Sequence, residues 1–359
     1  MAITTTIKRL SAFLLPALLV CASFMITVVG SLPGPTTISS YGRMTSSQTS
    51  DYLYGVWVSD TSWRTYGSYW GYTQVDMVDQ AGGNYICYAI DKRAWYENND
   101  NNALGVPFQD YIKTLVDYGN GLEIASVLCL HIDLGFGDRD GDGRGWGSYE
   151  KNMQINDPTL REDWIQWGRD MIAYCNPWGV IVMDEPGRSM IGQPLTLQDY
   201  WDFANECVNE WSEVDPNIWV ITYGGGTGGG QDGNRYLNQF LTNPLPQENV
   251  LYTTVLYGQT VDQDYQSSRQ QGWQAVENWL EDHGVSGELQ SKVIFTTGSI
   301  SPWSGMEVFF EDMYGWCEAN AFGMMQWACA KSDNYNLIDG NDRTQWSSTF
   351  GEIWRNKSP

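Results

Sequence analysis

Histidine is almost absent from this chain: His131 and His283 are the only 2 in 359 residues. There is no Cys-x-x-Cys either, so the paired Cys and His ligands of a structural zinc site are missing. Basic residues are scarce as well. Against 43 Asp and Glu stand 20 Lys and Arg, a formal charge of -23, which argues against nucleic acid or an anionic surface as partner of the folded part. Neutral or cationic ligands fit that balance better. Cysteine is present but uninformative. Cys21 lies in an apolar segment, Cys87 and Cys129 sit in strand-like runs and read as buried thiols, and any bridges would most locally join Cys175 to Cys207 and Cys317 to Cys329.

Aromatic residues are plentiful, with 18 Trp and 21 Tyr. Their polar tips need partners when buried, so they serve either core and rim packing or as platforms for the apolar faces of sugar rings. Composition alone does not choose between these. At the N-terminus, Leu10 to Gly30 carries no charge and follows Lys8 and Arg9. Its length is near the roughly 20 apolar residues that cross a bilayer and exceeds the roughly 7–15 of a secretory h-region. An uncleaved anchor over residues 1–31 is favoured over a removed signal. Either way the basic flank stays cytoplasmic and the remainder is extracytoplasmic, membrane-anchored or secreted. Residues 32–50, rich in Ser, Thr, Pro and Gly, read as a flexible tether.

From residue 51 to 359 strand-like and helix-like runs alternate without a low-complexity break. The strands are expected at Leu53 to Val58, Asn84 to Ile90, Leu122 to Leu130, Gly179 to Met183, Ile218 to Tyr223, Val250 to Leu256, Lys292 to Thr296 and Gly323 to Ala328. Helical segments are expected at Pro107 to Tyr118, Asp157 to Tyr174, Leu195 to Val214, Ser268 to His283, Gly305 to Glu318 and Arg343 to Arg355. Strict alternation over this length predicts an α/β fold, a single (β/α)8 TIM barrel preceded by an N-terminal hydrophobic helix.

In such barrels the chemistry sits where the strands end. The first strand is followed by Ser59-Asp60, the second by Asp91, the third by His131-Ile132-Asp133, and the fourth by Asp184-Glu185-Pro186. Acids at strand ends often cap the next helix, yet four successive strands delivering them to one rim suggests a site. Glycoside cleavage requires a protonated carboxyl at the leaving oxygen and a second carboxylate as nucleophile or base. Glu185 suits the acid role, since burial or repulsion from Asp184 would hold its proton.

The run Val180 to Pro186 resembles the clan of barrel glycosidases that includes the cellulase-type family 5. There the fourth strand ends in Asn-Glu-Pro, with the Glu as acid/base, and the seventh ends in a nucleophilic Glu. Leu115-Val116-Asp117-Tyr118 followed by Ile124 to His131 is similar to that family's third helix-strand unit. Tyr257 matches its active-site Tyr, and Gln326-Trp327 its substrate-stacking Trp. The resemblance covers most of residues 51–359 in strand order and spacing. It implies a polysaccharide or glycan as partner, Glu185 and Asp184 at the reacting centre, and Trp327, Tyr257 and His131 against the sugar.

The pattern also departs from that family. Asp184 stands in place of Asn, Cys87 about where an Arg falls, Val255 where a His falls, and Phe295-Thr296-Thr297-Gly298-Ser299 replaces the strand ending in the nucleophile. Glu307, the next acid downstream, lies beyond Pro302 at a helix start. An inverting arrangement with Asp133, Asp91 or Asp60 as base fits these residues. So does a non-catalytic glycan-binding or surface-structural barrel. A divalent-metal hydrolase built on Asp60, Asp91, Asp133, Asp184 and His131 is a third possibility.

Three loops complete the expectations. Asp138-Arg139-Asp140-Gly141-Asp142-Gly143 has the alternating carboxylates and sharp Gly turn of a calcium loop, although Tyr149 occupies its twelfth position. Ca2+ held by Asp138, Asp140 and Asp142 would brace the rim. Gly224 to Gly230 satisfies a dinucleotide glycine pattern only because it is nearly all glycine, and no acid ends the next strand to hold a ribose. It reads as a loop over the cleft, and no organic cofactor is expected. Trp63, Tyr66, Tyr69 and Trp70 in the first strand-helix loop form either a sugar-stacking wall with Trp63 or a cover for the barrel mouth.

Overall fold

A computed structural model describes residues 52–59, 61, 67–131, 155–184, 186, 196–223, 235–258, 278, 292–299, 306–329, 337–339, 342–348 and 350–357. Eight strands close into a barrel in chain order, every neighbouring pair parallel: β1 (Leu53–Val58), β2 (Tyr85–Asp91), β3 (Ala125–His131), β4 (Gly179–Ile181), β5 (Trp219–Tyr223), β6 (Val250–Gly258), β7 (Val293–Ser299) and β8 (Gly323–Cys329). The described helices are α1 (Tyr72–Gln80), α2 (Lys92–Glu97), α3 (Phe108–Gly121), α4 (Pro158–Cys175), α5 (Leu197–Val214), α6 (Arg235–Thr242), α7 (Met306–Asn320) and α8 (Phe350–Asn356). The expected (β/α)8 barrel is thus observed. The N-terminal segment and the tether lie outside the described residues, as does the helix expected at Ser268 to His283 apart from Asn278, which is helical. Among the described residues no helix is long and apolar enough to cross a membrane.

The strands read as continuous apolar runs because both faces are buried. Alternate residues enter two clusters: Leu53, Cys87, Val127, Ile221, Ile294 and Met325 fill the lumen, while Val56, Ile86, Leu128, Val220, Phe295 and Met324 meet the helices. The lumen has an aromatic floor. Tyr85, at the start of β2, meets Trp178 edge-on at 6.4 Å, Trp178 stacks on Trp219 at 5.7 Å, and Phe322 lies 6.5 Å from Trp219. All four residues stand at or just before the N-terminal ends of strands, so the end of the barrel left for chemistry is the C-terminal one. Much of the aromatic surplus is therefore core: Trp95, Trp164, Trp167, Trp178, Trp211 and Trp354 are fully buried.

Local chemistry sets the boundaries. Asp157 caps α4 by accepting from the Thr159 and Leu160 amides, with Pro158 in the first turn. β3 begins three residues later than the apolar run suggests. The chain leaves α3 through a turn in which the Leu122 and Ile124 amides both donate to the Gly119 carbonyl, at 3.0 and 2.9 Å, and Glu123 takes φ 61. Residues 342–348 are not helical as expected. They form turns in which Trp346 bridges to Ile338, and helix starts only at Phe350.

The six described cysteines are buried thiols, so the bridges Cys175 to Cys207 and Cys317 to Cys329 are not formed. Each of these four side chains is taken up by packing in the apolar layer between strands and helices. Burial pushes the Cys175, Cys207 and Cys317 thiols well above their ordinary range, which disfavours the reactive thiolate.

Candidate active site

The C-terminal rim brings together the ends of β2, β3 and β4. Asp91 and His131 are register partners across the β2–β3 ladder. Regular pairing of β4 stops at Ile181, but the segment after it stays laced between its neighbours. The Val182 amide donates to the Ile221 carbonyl at 2.9 Å, and the Asp184 amide donates to the Leu130 carbonyl at 3.1 Å. From the outer side the buried Trp164 indole of α4 donates to the Val182 carbonyl at 2.9 Å. Backbone bonds and one indole thereby fix the peptide that leads directly into Glu185.

Asp184 is 7 % exposed and His131 4 %. They meet at 3.3 Å, His131 Nε2 to Asp184 Oδ2. Two polar side chains buried at a strand end tolerate that position only when paired. Asp91, 3 % exposed, has a structural task. Its Oδ1 accepts from the Arg93 and Ala94 amides at 2.9 and 3.2 Å and caps α2.

Across the mouth, β7 delivers hydroxyls. Thr296 faces Thr253 of β6 at 3.3 Å, and Thr297 turns outward and donates to Gln326 Oε1 at 2.8 Å. The Tyr314 hydroxyl of α7 donates to the same oxygen at 2.6 Å, while Gln326 Nε2 donates to the Trp327 carbonyl at 3.0 Å. Gln326 is fully buried and ties β7, β8 and α7 together at the position just before Trp327. Trp327 itself is partly buried against the lumen cluster, and its peptide to Ala328 is cis. No carboxylate occurs anywhere in Val293–Ser299.

Of the residues expected at the site, then, the structure joins His131 with Asp184, sets Asp91 beside them as a helix cap, and places Trp327 on the rim end of β8. Tyr257 lies on β6, its side chain outside what the structure describes. Glu185, Asp133, Asp60, Trp63 and the loop carrying Asp138, Asp140 and Asp142 also lie outside the described residues. Among the described residues no group of three or more His, Cys, Asp and Glu could hold a metal ion. Sequence reasoning missed two supports, Trp164 and the hydrogen-bond hub at Gln326. A lone Gln in the apolar run Gly323 to Cys329 was the available signal for the second.

No family model matches the sequence, and no curated protein does. Solved structures do match. A GH5-4 broad-specificity endoglucanase from an uncultured bacterium is similar at TM-score 0.63 and 16% identity, over 88% of this chain and 96% of that one. A hyperthermophilic endocellulase from the archaeon Pyrococcus horikoshii is similar at TM-score 0.61 and 14% identity, over 86% and 93%. Endo-glycoceramidase II from Rhodococcus sp. is similar at TM-score 0.60 and 16% identity, over 88% and 79%. The chain has the barrel fold of the family 5 glycosidases, in a divergent form. Fold alone does not carry an activity.

Proposed function

We propose that this protein is an extracytoplasmic glycoside hydrolase, anchored or secreted through its N-terminal segment, that cleaves a polysaccharide at the C-terminal mouth of the barrel. Glu185 is its general acid, Trp327 and Tyr257 its sugar-facing wall, and His131, Asp184 and Asp133 line the same rim. The observation that carries this proposal is the braced peptide Val182 to Asp184, which sets Asp184 against His131 at the rim and leads straight into Glu185. The neighbours' names, endoglucanase, endocellulase and endo-glycoceramidase, are in keeping with it. Calcium in the loop of Asp138, Asp140 and Asp142 would stiffen the rim and takes no part in bond cleavage.

Because β7 ends without a carboxylate, the mechanism we assign is inverting. A second carboxyl at about 5 Å, as double displacement requires, has no place on that strand. The same observation favours one alternative, a glycan-binding barrel that has lost its chemistry. Incubating the full-length protein with a panel of polysaccharides, and following both new reducing ends and retention on the insoluble polymers, separates the two. Hydrolysis predicts reducing ends that accumulate with time. Retention without new ends on every polymer would select the binding barrel.

A further inference from the structure

The imidazole of His131 is asymmetric in its surroundings. Nε2 lies 3.3 Å from Asp184 Oδ2, whereas Nδ1 is buried and has no hydrogen-bond partner among the described residues. An ionised carboxylate only accepts hydrogen bonds, so a proton on the nitrogen facing Asp184 is the favourable arrangement, and in a neutral ring of that tautomer Nδ1 presents a lone pair. Leaving a buried polar atom unsatisfied is unfavourable. Such an atom at a barrel mouth is suited to a water or hydroxyl proton. We infer that His131 is the general base of this site and that Asp184 is a positioning residue, holding His131 in the tautomer whose Nδ1 accepts.

This assignment rests on the hydrolase proposed above and supplies the partner that β7 does not. As the water oxygen bonds to the anomeric carbon, its proton passes to His131 Nδ1. The bond from that carbon to the leaving oxygen breaks, and that oxygen takes the proton of Glu185. Proton exchange with solvent restores both groups. A carboxylate that fixes a histidine tautomer by one nitrogen and frees the other for proton transfer is an arrangement that recurs on unrelated folds. Asp91, the neighbouring acid on β2, is committed by Oδ1 to the α2 cap, which leaves the imidazole as the acceptor best placed among the described residues.

The decisive variant is Asp184→Asn, which preserves shape. An amide can donate to Nε2, which moves the ring proton to Nδ1 and removes the acceptor. It also installs the Asn of the family 5 pattern, so if Asp184 were merely an altered sugar ligand the change would keep or raise activity. With 2 histidines in the chain, nitrogen-15 labelling of histidine gives two ring-nitrogen signal sets, and His283→Gln assigns them. At a pH where the wild type is active, we expect His131 protonated on Nε2 alone, a shift of that proton to Nδ1 in Asp184→Asn, and a loss of kcat of roughly 10²–10⁴-fold with KM little changed. His131→Gln should lose activity to the same degree, and circular dichroism should report both variants folded. A wild-type ring protonated on Nδ1, or an Asp184→Asn protein that keeps wild-type kcat, overturns the assignment even if hydrolysis stands. A wild type that releases no sugar at all overturns the hydrolase proposal and the base with it, whatever the tautomer.

Discussion

Glutamine at position 185 is expected to leave the protein folded and able to bind polysaccharide while slowing hydrolysis about 10²–10⁴-fold, the range of a general acid's contribution. The substitution keeps the size and hydrogen-bonding reach of the side chain and removes only the proton. Among the described residues the approach to this position is braced by the Val182 and Asp184 amides on the carbonyls of Ile221 and Leu130, and by Trp164 on the Val182 carbonyl. These backbone and indole contacts do not depend on a proton at position 185, so the loss is expected in kcat and not in the melting curve. Reducing-end assays paired with thermal denaturation check both halves. Substrates with activated leaving groups, which need little protonation, should suffer far less than the natural polymer.

Gly55→Ala should produce the largest change in stability, about 3 kcal/mol, the upper end of the usual cost of overpacking a core. A Cβ on Gly55 would lie 2.0 Å from the Tyr85 carbonyl oxygen and 2.6 Å from Tyr85 Cβ. The obstacle cannot retreat. Gly55 and Tyr85 are partners in the β1–β2 ladder, Tyr85 is also paired with Ala125 of β3, and its ring is locked in the aromatic floor against Trp178. Relief would have to come from separating two strands of a closed ring. Gly315 in α7 offers the contrasting substitution. Its Cβ would meet nothing within 4 Å, so Gly315→Ala should stabilise by roughly 0.5–1 kcal/mol through helix propensity alone. Urea unfolding of the two variants beside the wild type should move the midpoint in opposite directions.

The barrel is legible in the sequence because its signal is repeated along the chain. Each strand is buried on both faces, so each appears as an apolar run, and the run Leu53 to Val58 coincides with β1 at both ends. What escapes such a reading is the detail set by turns. The extended look of Leu122 to Ile124 gives no sign that the Gly119 carbonyl captures two amides there, and α2 goes unseen because it is one short helix started by the side chain of Asp91. That same cap shows why a rim acid cannot be assigned from sequence: Asp91 and Asp184 both follow an apolar run, and only their surroundings show that one holds a helix and the other a histidine. The contact between His131 and Asp184 joins two strands that are distant in sequence and adjacent in the barrel. Composition is equally mute about the aromatics, since the count of Trp and Tyr is the same whether they form the floor of Tyr85, Trp178, Trp219 and Phe322 or a wall for sugar. The missing acid of β7, by contrast, is plain from the residue types of Phe295 to Ser299 alone.

The most direct measurement of the central claim is the configuration of the first product, read by proton NMR in the minutes before mutarotation mixes the anomers. A site with Glu185 as acid, a base acting through water, and no carboxylate on Val293–Ser299 predicts the anomer opposite to that of the bond cleaved. A product of unchanged configuration would require a covalent partner about 5 Å from Glu185 and would contradict the account.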